Sequence, residues 1–171
     1  MAAKTYAVMN GAAPGAAAPV AIATGSAIRT MLQLATNTTT PALRVVEWWA
    51  EFDASAAAVP VKVELLRHTG GAQTTLTAYA AADIAKVNDP NAPASSIQLG
   101  TALSGFSNTT TEVTPTGAVS LESHFVPPTS GIYVQFPLGR EPEVQVAAFA
   151  RIRTTPSGTG PNCFAGVMWE E

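Results

Sequence analysis

Charge is what this chain has least of. Asp, Glu, Lys and Arg supply only 12% of its 171 residues, about half the share usual in globular domains. The surface must therefore be built from Thr, Ser, Asn, Gln and Ala. Weak self-repulsion follows, which suits a protein that works assembled. Nine Lys and Arg face twelve Asp and Glu, for a formal net charge of −3. The basic residues are scattered and form no patch of the kind phosphate binding needs, so nucleic acid is not an expected partner. Long hydrophobic runs are missing too. No apolar stretch approaches the roughly 18 to 20 residues that span a bilayer, which argues against a membrane role. Near the N-terminus, Asn10, Gly11, Pro14 and Gly15 break the apolar core that a signal peptide would need. A single cysteine, Cys163, leaves no intramolecular disulfide to form. Its neighbours Phe164 to Trp169 are mostly apolar and mark it as a small buried hydrophobe, consistent with folding in a reducing cytoplasm.

Alternation is what the chain has most of. Apolar residues make up 47% of the sequence, and the length suffices for one two-layer core. The strongest period-two run is Leu43 to Asp53, with Val46, Trp48, Ala50 and Phe52 on one face and Glu47, Trp49 and Glu51 on the other. Val61 to Leu66 repeats the pattern, and Ala54 to Pro60 is expected to join the two as a hairpin. Further strands are expected at Lys4–Met9, Val20–Thr24, Ile28–Leu34, Thr74–Ala78, Ala118–Val126, Ile132–Phe136, Gln145–Arg153 and Cys163–Trp169. In the run before the last, Val146, Ala148, Ala150 and Ile152 oppose Phe149, Arg151 and Arg153. Gly70-Gly71 is expected to make a hairpin turn between Thr69 and Gln73.

These runs predict an all-β fold, an antiparallel β-sandwich or jelly roll, with at most one short helix. A single domain over residues 1–171 is expected, with an N-terminal arm at about 1–19 and a long loop at about 88–117. Alanine favours helix, but the Ala-rich segments are broken by Pro and Gly, and only Ala78–Val87 has room for a few turns. The expected core is Val46, Trp48, Phe52, Val61, Val63, Leu65, Ile152 and Val167.

No active site assembles from these residues. His68 and His124 are the only candidate bases, there is no Gly-x-Ser-x-Gly elbow, and no charge flanks Cys163 to activate it. Glu122 and His124 share a strand face and come nearest to a metal pair, but nothing adjacent completes a set. Phosphate-binding glycine loops are absent. The chain is therefore expected to be no enzyme and to need neither cofactor nor metal. Asn-Thr-Thr-Thr at Asn37 and at Asn108 are formal glycosylation sequons that matter only on secretion. What remains are aromatics on faces expected to be exposed, Trp49, Phe149 and Trp169, and a loop from Phe136 to Val144 that carries Arg140 and Glu141. Trp, Tyr and Arg are the residues enriched at interface hot spots, and Arg140 could grip a carboxylate on another chain with two parallel bonds. The residues leave two uses open, a subunit contact or a sugar-stacking platform.

Four stretches carry a family resemblance: Ala3-Lys-Thr-Tyr-Ala-Val-Met-Asn10, Asp89-Pro-Asn-Ala-Pro-Ala-Ser95, Gln135-Phe-Pro-Leu-Gly-Arg-Glu-Pro-Glu143 and Trp169-Glu-Glu171. With them the chain resembles small virion proteins of tailed bacteriophages of actinobacteria. The resemblance implies a capsid decoration (cement) protein on the outside of an icosahedral shell. Its partners would be the major capsid protein and further copies of itself, with a trimer favoured. It would be assembled in the host cytoplasm and tie neighbouring capsomers together against the pressure of packaged DNA. The family offers no catalytic residues to carry over. A carbohydrate-binding or adhesion β-sandwich that uses Trp49 is the alternative.

Overall fold

All ten expected runs become strands, and three two-residue strands join them. In the computed structural model, which describes residues 3–11, 20–38, 42–55, 58–107 and 112–171, the strands follow in chain order. They are β1 (Thr5–Met9), β2 (Ile22–Ala23), β3 (Arg29–Ala35), β4 (Leu43–Phe52), β5 (Val61–His68), β6 (Thr77–Ala78) and β7 (Ala85–Lys86). After these come β8 (Gly105–Phe106), β9 (Val119–Val126), β10 (Gly131–Gln135), β11 (Glu143–Val144), β12 (Phe149–Thr155) and β13 (Asn162–Glu170). The helix allowed within Ala78–Val87 is one 3-10 turn, Ala81–Asp83, closed by the Asp83 carboxylate on the Ala80 N–H at 2.7 Å.

One sheet has the order β10-β4-β13-β1-β7 and the other β6-β8-β3-β12-β5-β9. Number only the strands of five or more residues, first to eighth. The first sheet then reads sixth, third, eighth, first, and the second reads second, seventh, fourth, fifth. That interleaving is the strand order of a jelly roll, two Greek keys wound together. Of consecutive long strands, only β5 and β9 also pair.

Two expected hairpins are corrected by this path. β4 and β5 belong to different sheets, so the connection around Ala54 to Pro60 crosses the sandwich; its residues 56 and 57 lie outside the described set. The stretch from Thr69 to Gln73 likewise joins no paired strands. Gly70 bridges Thr116 instead, and β6 pairs with β8. Turn-forming residues announce a reversal but not the sheet to which the chain returns. The expected N-terminal arm carries β1 between β13 and β7, and residues 1–2 and 12–19 lie outside the described set. The long loop at 88–117 contains β8, and its residues 108–111, with the sequon at Asn108, are outside that set as well.

Between the sheets, Trp48, Val61, Val63, Leu65, Ile152 and Val167 are buried as expected, and Phe52 packs half-buried against them. Each large side chain there contributes about 1.5–3 kcal/mol. Val46 is the exception. Met168 pairs with Glu47 but Trp169 with Val45, so Val46 is the extra residue of a β-bulge. The bulge resets the phase, which buries Val45 and leaves Val46 only half-buried. Trp169, expected on the surface, is fully buried and stacks on Tyr6 with ring centroids 5.9 Å apart. It is in phase with Cys163, Ala165 and Val167, all of them buried, and that phase was readable from the sequence.

The two outer faces differ. On the second sheet, loops lie over the strands and enclose Arg151, which is 0% exposed although alternation points it outward. Its Nε and Nη2 donate to Gln33 Oε1 at 3.1 and 2.8 Å, and Nη2 also donates to the Gly71 carbonyl at 2.8 Å. Nη1 donates to Glu112 at 2.8 Å and to the Val113 carbonyl at 3.0 Å. Burial lowers the Arg151 pKa from its ordinary value while the Glu112 carboxylate opposes that shift. On the outer face of the first sheet Tyr133 is 61% exposed and Trp49 is half-buried beside it.

Candidate functional site

β9 is the last strand of one sheet and β10 the last strand of the other. Four residues, Pro127 to Ser130, join them, so both edges form one side wall of the sandwich. The chain from Val119 to Val146 runs along this wall. It holds five of the ten large apolar side chains left exposed among the described residues: Val119, Phe125, Tyr133, Leu138 and Val146. That is half of them in less than a fifth of the sequence; Phe125 lies on the outer face of the second sheet and Tyr133 on that of the first, on either side of this edge.

Open edges invite uncontrolled strand pairing, and this one is blunted in three ways. Leu121 is the extra residue of a bulge opposite the Leu65–Leu66 step. Glu122 and His124 sit opposite buried Leu65 and Val63, so the edge strand turns polar side chains inward, where they hydrogen-bond each other at 3.0 Å. Pro127, Pro128, Pro137 and Pro142 bracket β10 and remove N–H donors. A partner is thereby left to dock on side chains rather than to extend a sheet.

The projecting loop on this wall has a simple origin. The Phe136 N–H reaches the Val46 carbonyl at 2.9 Å and the Val45 N–H reaches the Pro142 carbonyl at 3.0 Å, so β10 and β11 are two parts of one edge beside β4. The intervening Pro137 to Pro142 is squeezed outward. Arg140 N–H closes a turn on the Pro137 carbonyl at 2.9 Å, and Gly139 within it takes a φ of +80° that a side chain would oppose. Leu138 stands at the tip, 98% exposed. Beside this loop the two sheets are tied by Arg67, whose Nη1 donates to the Glu143 carbonyl at 2.9 Å. A cavity of about 210 Å³ lies there, lined by Arg67, His68, Val119, Gln145 and Ala148 among others.

The expected contact residues are only partly gathered here. Arg140 is exposed on the loop, with its guanidinium unengaged among the described residues. Glu141 serves the loop itself, since its carboxylate accepts the Gly139 N–H at 2.8 Å. Phe149 is half-buried near the same end and stacks on His68 at 4.8 Å. Trp49 is half-buried on the adjoining outer face beside Tyr133 of β10. Trp169 is in the core and takes no part. Leu138 and Phe125 were missed. Phe125 precedes Val126-Pro127-Pro128 and Leu138 follows Phe136-Pro137, so neither stands out from its neighbours in the sequence.

His68 and Cys163 are built into the fold. Burial and the nearby Arg151 push His68 down to about 4, and its Nδ1 meets the Gly70 carbonyl at 2.9 Å. The ring is therefore neutral near pH 7, with Nδ1 as the donor. Burial raises the Cys163 thiol, helped by Asp53 and Glu51, so it is no nucleophile. Among the described residues no three His, Cys, Asp or Glu side chains group as a metal site would require. Among the described residues no helix is long and apolar enough to cross a membrane.

Three of the four stretches behind the family resemblance meet in one clasp. Lys4 pairs with Asp89 at 2.7 Å, and Tyr6 Oη donates to the Pro93 carbonyl at 3.1 Å. The Glu171 carboxylate accepts from the Ser95 hydroxyl, the Ser96 N–H and Trp169 Nε1 at 2.5, 2.8 and 2.8 Å. These residues fasten the 88–97 loop to both ends of the chain, which is a folding role. The remaining stretch, 135–143, is the projecting loop.

The chain thus belongs to the class of jelly-roll domains with a loop-bearing side wall. No protein-family model, no curated protein and no solved structure matches it.

Proposed function

We propose that this chain is a structural virion protein that decorates and stabilises the exterior of a bacteriophage capsid, with the β9–β10 wall and its Pro137–Pro142 loop as the contact surface. The observation that carries the reading is the exposed apolar set along 119–146, headed by Leu138 and accompanied by the unengaged Arg140. Interfaces are built this way, with apolar anchors beside arginine and little other charge at their centre. The jelly roll supports the reading by analogy, since viral capsid domains use it, although so do lectins. The acidic, charge-poor surface favours the outside of a shell over the DNA-facing side. The chain would act as a symmetric homo-oligomer, with a trimer favoured, and each copy would contact the major capsid protein over at least roughly 1,000 Å². A carbohydrate-binding module is the second reading, favoured by the Trp49–Tyr133 pair.

Sedimentation with shells of the major capsid protein tests the proposal. Wild-type chain should pellet in fixed stoichiometry. Leu138→Asp and Arg140→Glu should each reduce the bound fraction at least roughly tenfold at unchanged melting temperature. A monodisperse monomer that stays in the supernatant at micromolar concentration would sink the reading.

A further inference from the structure

Strand register arranges the uncovered face of the first sheet in three rows. Gly131, Glu51 and Phe164 form one; Tyr133, Trp49 and Gly166 the next; Gln135, Glu47 and Met168 the third. Gly166 lies inside β13 and Gly131 opens β10, and glycines in strands often mark a place where something must approach the backbone closely. Here each makes room for a particular side chain. A Cβ on Gly166 would collide with the six-membered ring of Trp49, and one on Gly131 would stand 2.7 Å from Glu51 Cγ. The indole and the carboxylate therefore lie low across the sheet. Tyr133, 61% exposed, lies beside the indole with ring centroids 6.5 Å apart and planes 25° from parallel. Glu47 holds this arrangement by accepting the Tyr133 hydroxyl and, at 3.0 Å, the Gln135 amide.

An open groove of about 420 Å³ continues from Tyr133, with Glu51, Thr129 and Ser130 among its lining residues and Trp49 beyond its rim. No Lys or Arg lines it, so it offers nothing to an anion. It is too open and too polar for a lipid tail. The Glu51 carboxylate accepts no hydrogen bond from the described residues. A flat aromatic surface beside a carboxylate without a partner among the described residues suits a neutral polyol, whose C–H face stacks while its hydroxyls donate.

We infer that this face is a saccharide-binding site, with Trp49 and Tyr133 as the stacking surface and Glu51 as the hydroxyl acceptor. It deepens the second reading above, shares Tyr133 with the docking wall, and does not depend on the capsid reading. Trp48 and Trp169 are fully buried, so of the three tryptophans only Trp49 can report on it.

The test is tryptophan emission of the full chain titrated with maltohexaose, cellohexaose and chitohexaose. At least one should shift the emission saturably with submillimolar to millimolar affinity, and Tyr133→Ala and Glu51→Ala should each weaken binding at least roughly tenfold. Glu51 lies on the surface, so its variant tests the site even if Tyr133→Ala folds poorly. No shift with any of the three at 10-fold above roughly 1 mM would overturn the inference. So would a shift that persists in the Glu51 variant, or one given only by a proline-rich peptide run in parallel. Shell sedimentation of the Glu51 variant should be unchanged, so failure of this site and failure of the capsid reading register separately.

Discussion

The two sheets of this sandwich have outer faces of opposite character. On the second sheet Arg151 points away from the core and is still sealed beneath loops, with five hydrogen bonds to Gln33, Glu112 and the carbonyls of Gly71 and Val113. On the first, Trp49 and Tyr133 point away from the core, and no loop of the described residues seals them as Arg151 is sealed: Trp49 is half-buried and Tyr133 exposed. Alternation assigns both sets to the outside of a sheet. It cannot say whether a loop returns over them, because that depends on chain segments far away in sequence. The polar residue became structural and the aromatic ones were left available.

Breaking the covered face should have the largest effect. Arg151→Met takes the guanidinium away from the buried Glu112 carboxylate, from Gln33 Oε1 and from the Gly71 and Val113 carbonyls, and should cost about 3–5 kcal/mol. Arg153, two residues on, pairs with Glu64 at 2.9 Å nearer to solvent, and its alanine variant should cost under about 1 kcal/mol. Urea unfolding of the pair measures the contrast, and equal costs would mean that the loops do not seal the face.

The tryptophans sharpen the same contrast. Trp169→Ala removes a buried ring that stacks on Tyr6 and should cost about 3–5 kcal/mol. Trp49→Ala, on the uncovered face, should cost no more than about 1–2 kcal/mol. Comparable losses from both would place Trp49 in the core instead.

A smaller effect is read by pH. His68, on the covered face, titrates at about 4 when folded, below its ordinary 6.5, because of burial and the neighbouring Arg151 and Arg153. As pH falls, the unfolded chain takes up a proton first. Stability from this group is complete above about pH 6.5 and is lost progressively toward pH 4, on the order of 2 kcal/mol after allowance for solvent screening. A melting-temperature profile should fall across that window, and His68→Phe should flatten it. A profile identical in the two proteins would contradict the assignment.

Much of this fold was legible in the sequence. Runs such as Glu47–Phe52 of β4 could be read because alternate side chains there must meet the core. The pairing was less legible, because Ala54–Pro60 has the composition of a turn whether the chain folds back in its own sheet or crosses to the other. Bulges hid more, since one extra residue at Val46 exchanges the buried and exposed positions before it. For the site, Arg140 and Trp49 could be found as unusual residues in their surroundings. Glu51 could not, because its role depends on Gly131 lying directly across the strand pair.

The smallest structural effect should come from the docking wall. Leu138 and Arg140 touch nothing that a free chain needs, so their variants should change stability by less than about 0.5 kcal/mol while impairing assembly.

Amide hydrogen exchange of the chain, free and bound to shells of the major capsid protein, tests the central claim most directly. The account predicts new protection concentrated in residues 119–146 and strongest around Leu138 to Glu141, with the amides of the Arg151 network unchanged because they are already protected. Protection confined to the covered face of the second sheet, or none upon binding, would contradict it.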